Sequence, residues 1–124
     1  MQVIKPESHK KVWGSEEWIV NRDYCGKIMN LKKGFRCSIH YHKIKDETFL
    51  FLKGKVLLEL ENEKRIMKPG EVVLIEPGVK HRFTGLENSK IIEFSTHHED
   101  GDSYREVESG KVNLNELNLE ELEE

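Results

Sequence analysis

Two histidines, His40 and His42, stand two positions apart in an apolar run of the sequence. Side chains of a β-strand alternate between its faces, so both imidazoles must point to the same side and form a chelating pair. Residues 43–46 are mostly polar, with two lysines and an aspartate around Ile44, so they predict a turn that brings Glu47 beside the histidines. The pair and the carboxylate together indicate a metal site.

A further imidazole comes from a distant part of the chain. His81 follows Pro77-Gly78, a turn signal after the apolar run Val72–Ile75, and it can open a strand that faces the same cavity. Imidazoles suit iron, nickel, copper and zinc, and a carboxylate makes manganese and iron(II) suitable as well. Any one histidine in a strand is more often a surface or core residue than a ligand. The combined spacing predicts one divalent transition metal (Mn, Fe, Ni or Zn) on His40, His42, Glu47 and His81.

The length and composition fit one compact domain. A chain of 124 residues lies near the usual domain size, and a net charge of -3 with 35% charged residues lacks the basic character of a nucleic-acid binder. No apolar run approaches the roughly 20 residues that span a bilayer, and the first residues do not resemble a signal peptide. We therefore expect a cytoplasmic protein with a small-molecule ligand and without nucleic-acid or membrane partners.

Short apolar runs recur along the chain and predict β-strands. Turn residues such as Lys53-Gly54 and Pro69-Gly70 separate these runs. No long helical pattern intervenes, which favours an antiparallel sandwich or barrel. The predicted strands are residues 18–20, 26–31, 37–42, 48–52, 55–60, 65–67, 72–75, 81–84 and 91–96.

The end of the chain differs from its middle. We expect the barrel over residues 1–110 and an acidic tail over residues 111–124. The tail fits either a short helix docked on a surface, with Asn115 or Asn118 as its N-cap, or a disordered terminus. Both faces of the strand at residues 48–52 are largely apolar, and this surface together with the tail leucines predicts a homodimer. Those leucines are Leu114, Leu117, Leu119 and Leu122.

The proposed ligands lie in two stretches bounded by glycines. They read Gly34-x5-His40-x-His42-x4-Glu47-x6-Gly54 and Gly70-x7-Gly78-x2-His81. These stretches resemble the paired motifs of the cupin superfamily. The second departs from the usual motif, since Glu76 stands where a proline is usual, with the proline moved to Pro77, and Gly85 stands where asparagine is common. The resemblance implies an all-β fold, a double-sheet jelly-roll (cupin) barrel, with the metal in its interior.

A second resemblance concerns the reaction. The stretch from Lys27 to Gly54 is similar, without a gap, to the C-terminal cupin domain of type II mannose-6-phosphate isomerases, and weaker similarity spans roughly residues 11–105. His40 stands where those isomerases often have glutamine, and Thr48 or Phe49 stands where they carry histidine and tryptophan. The matching positions are Lys27, Gly34, Ser38, His42, Glu47 and Gly54.

The resemblance implies a metal-dependent isomerase or epimerase of a sugar or sugar phosphate. The metal would act as a Lewis acid, and a base would move a proton between C1 and C2 of the sugar. Lys27, Glu93 and His97 are the candidate bases, and Arg36 and Arg82 are available to hold a phosphate or hydroxyl group. Each of them also has an ordinary alternative as an ion-paired, solvated or loop residue. A cupin dioxygenase or lyase and a non-enzymatic carbohydrate-binding cupin are the alternative functions.

Overall fold

The computed structural model describes residues 1–122, of which most lie in β-strands. Within these residues, helical structure is limited to 3₁₀ turns at Asp100–Asp102, Leu114–Glu116 and Glu120–Leu122, and no helix there is long and apolar enough to cross a membrane. The strands in chain order are β1 (Glu7–Lys11), β2 (Gly14–Asn21), β3 (Tyr24–Leu31), β4 (Phe35–Arg36), β5 (Ile39–His42), β6 (Glu47–Lys53), β7 (Val56–Leu60), β8 (Glu63–Met67), β9 (Val72–Ile75), β10 (His81–Gly85), β11 (Ser89–Thr96), β12 (Ser103–Val107) and β13 (Gly110–Lys111).

The strands form two antiparallel sheets. One sheet has the strand order β1-β2-β3-β11-β6-β9. In the other, β10 is central, with β7 and then β8 along one edge and β5 and β4 along the other; β12 lies beyond β5, and β13 lies beyond β4. The predicted double-sheet jelly roll is confirmed.

Aromatic side chains join the two sheets in the core. Phe49 and Phe51 of β6 pack edge-to-face on Phe83 of β10, with ring centroids 4.9 and 5.8 Å from that of Phe83. Burying each phenyl ring contributes roughly 1.5–3 kcal/mol. Glu47 precedes Phe49 by two residues and His81 precedes Phe83 by two residues, so the inward rows that build the core also carry these polar side chains inside. Core packing therefore positions the site.

Two motif glycines are required by close backbone approach. Gly54 has φ +88°, and a Cβ there would overlap the Ser89 side chain and the Asn88 carbonyl. A Cβ on Gly85 would lie 2.5 Å from the carbonyl oxygen of Lys32. The asparagine that is common at this motif position would therefore clash here, which accounts for the glycine in this chain.

The tail is docked on the barrel, as one of the two alternatives predicts, but it does not form a single helix. It packs on the barrel as far as Leu122, in two 3₁₀ turns rather than one helix, and the side chain of Asn113 caps the first by accepting from the Asn115 N–H at 3.1 Å. An α-helix would turn Leu117 and Leu119 to opposite sides, whereas two turns with an extended link present the tail leucines to one surface. They pack on Leu57, Ile66 and Leu86. Residues 123–124 of the predicted tail lie outside the described residues.

The outer face of the six-stranded sheet carries exposed apolar side chains. Leu52 of β6 is 49% exposed, Val72 and Leu74 of β9 are 53% and 69% exposed, and Phe94 of β11 is 54% exposed. The tail leucines pack on the chain's own barrel and are not available to a partner. The homodimer therefore stays a prediction that depends on this exposed sheet face.

Candidate functional site

Imidazoles from β5 and β10 meet at one end of the core. His40, His42 and His81 each offer a ring nitrogen, and these nitrogens lie within 4.8 Å of one another. His81 lies directly opposite His40 in the β5–β10 pair. The Gly78 N–H donates to the His42 carbonyl at 2.6 Å, which fixes the turn before β10. Strand pairing thus joins the two motifs that the sequence separates.

Each imidazole is oriented by a backbone carbonyl. A carbonyl oxygen only accepts, so every Nδ1 in these contacts carries the proton and every Nε2 keeps a free lone pair. The Nε2 atom of His81 is buried without a hydrogen-bond partner among the described residues. An orphaned lone pair beside two others fits a bound metal ion. The Nδ1 contacts are His40 with Ser38 at 3.0 Å, His42 with Asp102 at 3.0 Å, and His81 with Val79 at 2.9 Å.

Burial keeps these imidazoles neutral. Loss of solvation is the main cause that lowers the pKa of His40 to about 3 and the pKa values of His42 and His81 to about 4. At neutral pH all three side chains therefore offer lone pairs, which is the form that binds a transition metal.

Glu47 lies next to the imidazoles. Its Oε1 atom is 3.4 Å from Nε2 of His42 and 3.5 Å from Nε2 of His81. Two ligands that are each about 2.1 Å from one ion lie within about 4 Å of each other, so these separations suit a shared metal. Burial first and the negative charge of Glu93 second raise the pKa of Glu47 to about 8. A bound cation would favour the ionised carboxylate, and the role of Glu47 as a ligand stays a prediction.

We expect the metal-free protein to lose stability in acid. The unfolded chain binds protons at these imidazoles below about pH 6.5, whereas the folded protein resists protonation until about pH 4. The free energy of unfolding should therefore fall as the pH drops through this window, by about 1.4 kcal/mol per pH unit for each imidazole. Because the pKa of Glu47 is raised, its contribution to this pH dependence has the opposite sign. It cancels the contribution of roughly one imidazole between about pH 4.5 and 6.5.

Urea unfolding of chelator-treated protein at several pH values measures this slope. His81→Asn should make it shallower, and His97→Asn, at an exposed histidine, is the matched control. Equal slopes for wild type and His81→Asn would show that the cluster is not the cause.

A cavity of about 320 Å³ opens beside the cluster. Its apolar wall includes Trp13, Met29 and Phe49, and its polar wall carries both signs of charge. The charged and imidazole side chains that line it are Lys10, Lys11, Glu16, Lys27, His40, His42, Lys45, Glu47, Glu93, His98, Asp100, Arg105 and Glu108.

Two of the candidate bases reach this cavity and one does not. Lys27 and Glu93 are directly opposed in the β3–β11 pair, and both line the cavity. The His97 side chain is 48% exposed, and its Nδ1 contacts the Arg22 carbonyl at 2.9 Å, outside the cavity. Because β11 ends at Thr96, strand alternation no longer predicts the direction of the next side chains, and His98 lines the cavity instead.

The two arginines predicted to hold substrate do not line the cavity. Arg82 lies between the inward residues His81 and Phe83 and therefore points to the other face of the sheet. It donates from Nε to the Cys37 carbonyl at 2.9 Å and from Nη2 to the Glu108 carbonyl at 3.2 Å. Arg36 lies opposite Thr84 and shares that outer face. The positions of these arginines do not support substrate binding in this cavity.

Lys45 is a site residue that the sequence reasoning missed. Residues 43–46 were expected to form a polar turn, yet Lys45 is only 3% exposed. The Asp102 carboxylate accepts the backbone N–H groups of Lys43 and Lys45, at 2.9 and 3.0 Å, and so folds the loop inward. Lys45 lies before β6 begins at Glu47, so strand alternation does not predict its direction, and the contact with Asp102 comes from far along the chain.

Glu93 is the ionised carboxylate of the cavity wall. Burial raises its pKa, but the ammonium groups of Lys45 and Lys27 and the Ser95 hydroxyl outweigh burial, so the pKa lies below its ordinary value. Lys45 Nζ is 3.1 Å from Glu93 Oε2, and Ser95 Oγ donates to the same oxygen at 2.8 Å. The site thus combines three imidazoles that could hold a metal with a negatively charged carboxylate.

Comparison with known proteins identifies the domain. The family model described as a cupin domain matches residues 27–95, which is more than half of the 124 residues. An uncharacterized protein of Methanocaldococcus jannaschii is 31% identical over 55 residues. That alignment covers 44% of each protein, so the chain spans less than half the length of the curated relative it matches.

Solved structures share the architecture at low sequence identity. KdgF from Halomonas sp. has a TM-score of 0.66 at 22% identity, over 70% of this chain and 82% of KdgF. The capsular polysaccharide assembling protein CapF from Staphylococcus aureus has a TM-score of 0.67 at 23% identity, over 83% of this chain and 34% of CapF. PAC13 of Streptomyces, a nucleoside dehydratase, has a TM-score of 0.73 at 9% identity, over 90% of this chain and 91% of PAC13. These likenesses show the fold, and with the match over residues 27–95 they establish that this chain belongs to the cupin family.

Proposed function

We propose that this cupin is a metal-dependent isomerase or epimerase of a sugar or sugar phosphate, with chemistry like that of mannose-6-phosphate isomerase. The observation that carries the proposal is an ionised carboxylate, Glu93, in the same cavity as the three-histidine cluster. Its Oε2 atom accepts from Lys45 and Ser95, and the carboxylate lies beside Glu47. An ionised carboxylate beside a Lewis-acid site suits proton transfer at carbon.

Glu93 and Lys27 have different roles in the proposed reaction. A divalent metal, when bound, would polarise a carbonyl and its neighbouring hydroxyl group. Glu93 would take the proton from the carbon next to the carbonyl and return it to the carbonyl carbon, while the proton of the neighbouring hydroxyl moves to the carbonyl oxygen. Lys27 is less suited to this role, because its ammonium lies 3.2 Å from Glu16 Oε1 and 4.3 Å from the centroid of the Trp18 ring. We infer that Lys27 is an ion-pairing residue and that Glu93 is the base.

The size and the wall of the cavity suit a monosaccharide. A volume of about 320 Å³ lies at the small end of ligand sites, which run from about 300 to 1,000 Å³. Hydroxyl groups can bond the charged wall, and the C–H face of a sugar ring can pack against Trp13 and Met29. CapF acts in capsular polysaccharide assembly and PAC13 on a nucleoside, as their names state, which supports a sugar-containing ligand but no particular reaction.

An interconversion assay tests the function. Protein is stripped with a chelator, reloaded with Mn, Fe(II), Ni or Zn, and incubated with a panel of aldoses, ketoses and their phosphates, with products followed by NMR. We expect interconversion of an aldose and a ketose, or epimerisation, that disappears on stripping and returns on reloading. Oxygen consumption with Fe(II), or binding without turnover, would instead favour the oxygenase or the binding-protein alternative.

We expect Arg105 to hold a negatively charged group of the substrate. Arg105 lies opposite His40 in the β5–β12 pair and lines the cavity, with no ion pair among the described residues. A guanidinium group pairs with a phosphate through two parallel hydrogen bonds. Arg105→Ala should raise KM for a phosphorylated sugar by about 10- to 100-fold and leave metal content unchanged, as kinetics and elemental analysis would show.

The matched control is Arg36→Ala, since Arg36 lies on the outer face of the same sheet. It should leave KM within about twofold. An equal rise in KM for the unphosphorylated sugar would contradict phosphate recognition by Arg105.

A further inference from the structure

We propose that Lys45 is a positioning residue that restricts Glu47 to one metal-binding oxygen and so keeps coordination positions free for substrate. This inference rests on the metal site of the proposed function. The buried Lys45 ammonium lies 3.3 Å from Glu47 Oε2, 3.1 Å from Glu93 Oε2 and 2.8 Å from His98 Nδ1. The contacts with Glu93 and His98 are hydrogen bonds, and the contact with Glu47 is an ion pair. Lys45 is therefore engaged in holding its neighbours.

The contacts divide the two oxygens of Glu47 between different partners. Oε1 faces the Nε2 atoms of His42 and His81, whereas Oε2 faces Lys45. To bind a metal through both oxygens, Glu47 would have to turn Oε2 away from Lys45 and leave a buried ammonium donor without its acceptor. Glu47 therefore offers the metal a single oxygen.

The groups around Lys45 hold its side chain in place. Its backbone N–H donates to Asp102 at 3.0 Å, and His98, which accepts from Nζ, donates from Nε2 to Asp100 at 2.9 Å. The same ammonium contacts Glu93, so one side chain sets the position of both the proposed ligand and the proposed base.

This arrangement has a consequence for metal affinity. A buried positive charge beside a cation site repels the cation, and removing it leaves Glu47 and Glu93 without their shared partner. Lys45→Met should therefore bind a divalent metal more tightly than wild type, with Glu47 free to use both oxygens. A residue that only maintained the fold would have the opposite effect, because its loss would loosen the ligands and weaken binding.

Cobalt(II) alone is the probe for this test. Its visible absorption weakens as the coordination number rises, and chelator competition gives its affinity without any substrate. We expect Lys45→Met to bind cobalt(II) about tenfold or more tightly, with weaker visible absorption, and Lys45→Arg, which keeps the charge, to retain the wild-type spectrum. The matched control is Lys43→Met in the same loop, at an exposed lysine that lies over the Tyr104 ring, and it should change neither value.

Each outcome bears on the inference. A wild-type spectrum and affinity in Lys45→Met, weaker binding in that variant, or an equal effect of Lys43→Met would overturn it. If Lys45→Met does not fold, Lys45→Leu, which also lacks both the charge and the donor, carries the same expectation. Wild-type protein that binds cobalt(II) but interconverts no sugar overturns the proposed function alone, whereas failure to bind cobalt(II) removes the metal site and this inference with it.

Discussion

Replacing His42 by alanine should lower the affinity for a divalent transition metal by about a hundredfold or more while the barrel still folds. Loss of a partner that merely orients a ligand costs about 10- to 100-fold in metal affinity, and His42 is itself proposed as a ligand. The core should survive, because Phe49, Phe51 and Phe83 pack together without this imidazole. Chelator competition and elemental analysis measure the affinity, and circular dichroism measures the fold.

The control for this prediction is His97→Ala, which removes an exposed imidazole outside the cavity. Its metal affinity should equal that of wild type. If His42→Ala kept full metal occupancy in the presence of a competing chelator, the ion would lie elsewhere and the cluster could not be its site.

Replacing Glu93 by glutamine should lower the rate of sugar interconversion by about 10²- to 10⁴-fold, the usual contribution of a general base. Glutamine has nearly the same shape and still accepts from Lys45 and Ser95, so the cavity should keep its form. It lacks the charge and the basic oxygen that remove a proton from carbon. Steady-state kinetics on metal-loaded protein gives kcat, and elemental analysis checks that the metal remains.

Glu16→Gln is the comparison for Glu93→Gln. Glu16 also lines the cavity, but it accepts from Trp18 at 2.7 Å and from Lys27 at 3.2 Å. We expect a smaller loss, because the proposal assigns proton transfer to Glu93, whereas Glu16 serves as the ion-pair partner of Lys27. Full activity in Glu93→Gln would transfer the role of base to another group, and loss of the metal in that variant would make its kinetics uninformative about the base, so metal content decides which conclusion holds.

The parts of the molecule with a local pattern were predictable from the sequence. Glu47 and Phe49 lie two residues apart in one strand, as do His81 and Phe83 in another, so each pair faces the same side. The proposed ligands and the core residues therefore follow from the same alternation. The turn residues around Gly54 and Gly78 marked the strand ends correctly, and both glycines adopt positive φ. The barrel and its imidazole cluster were therefore accessible without a structure.

The remaining features depend on long-range contacts or on edge positions. Strand β1 was not predicted because its residues are mostly charged, as is usual for an edge strand that pairs only with β2. Asp102 organises the loop that carries Lys45, but it lies far along the chain and no local pattern connects the two. Arg82 is adjacent to the inward His81 in the same strand, so strand alternation already predicts that its side chain points away from the cavity. The direction of His97 could not be predicted, because β11 has already ended.

Metal-dependent proton transfer at carbon is tested most directly with aldoses and aldose phosphates deuterated at C2. Metal-loaded wild-type protein and its chelator-stripped form are incubated with each sugar, and NMR follows the label. For at least one sugar, we expect the metal-loaded protein to exchange the deuterium with water or to move it to C1. The stripped protein should leave the deuterium at C2. If every sugar keeps its C2 label while the protein holds a full complement of metal, proton transfer at carbon is excluded for that panel and the isomerase proposal fails.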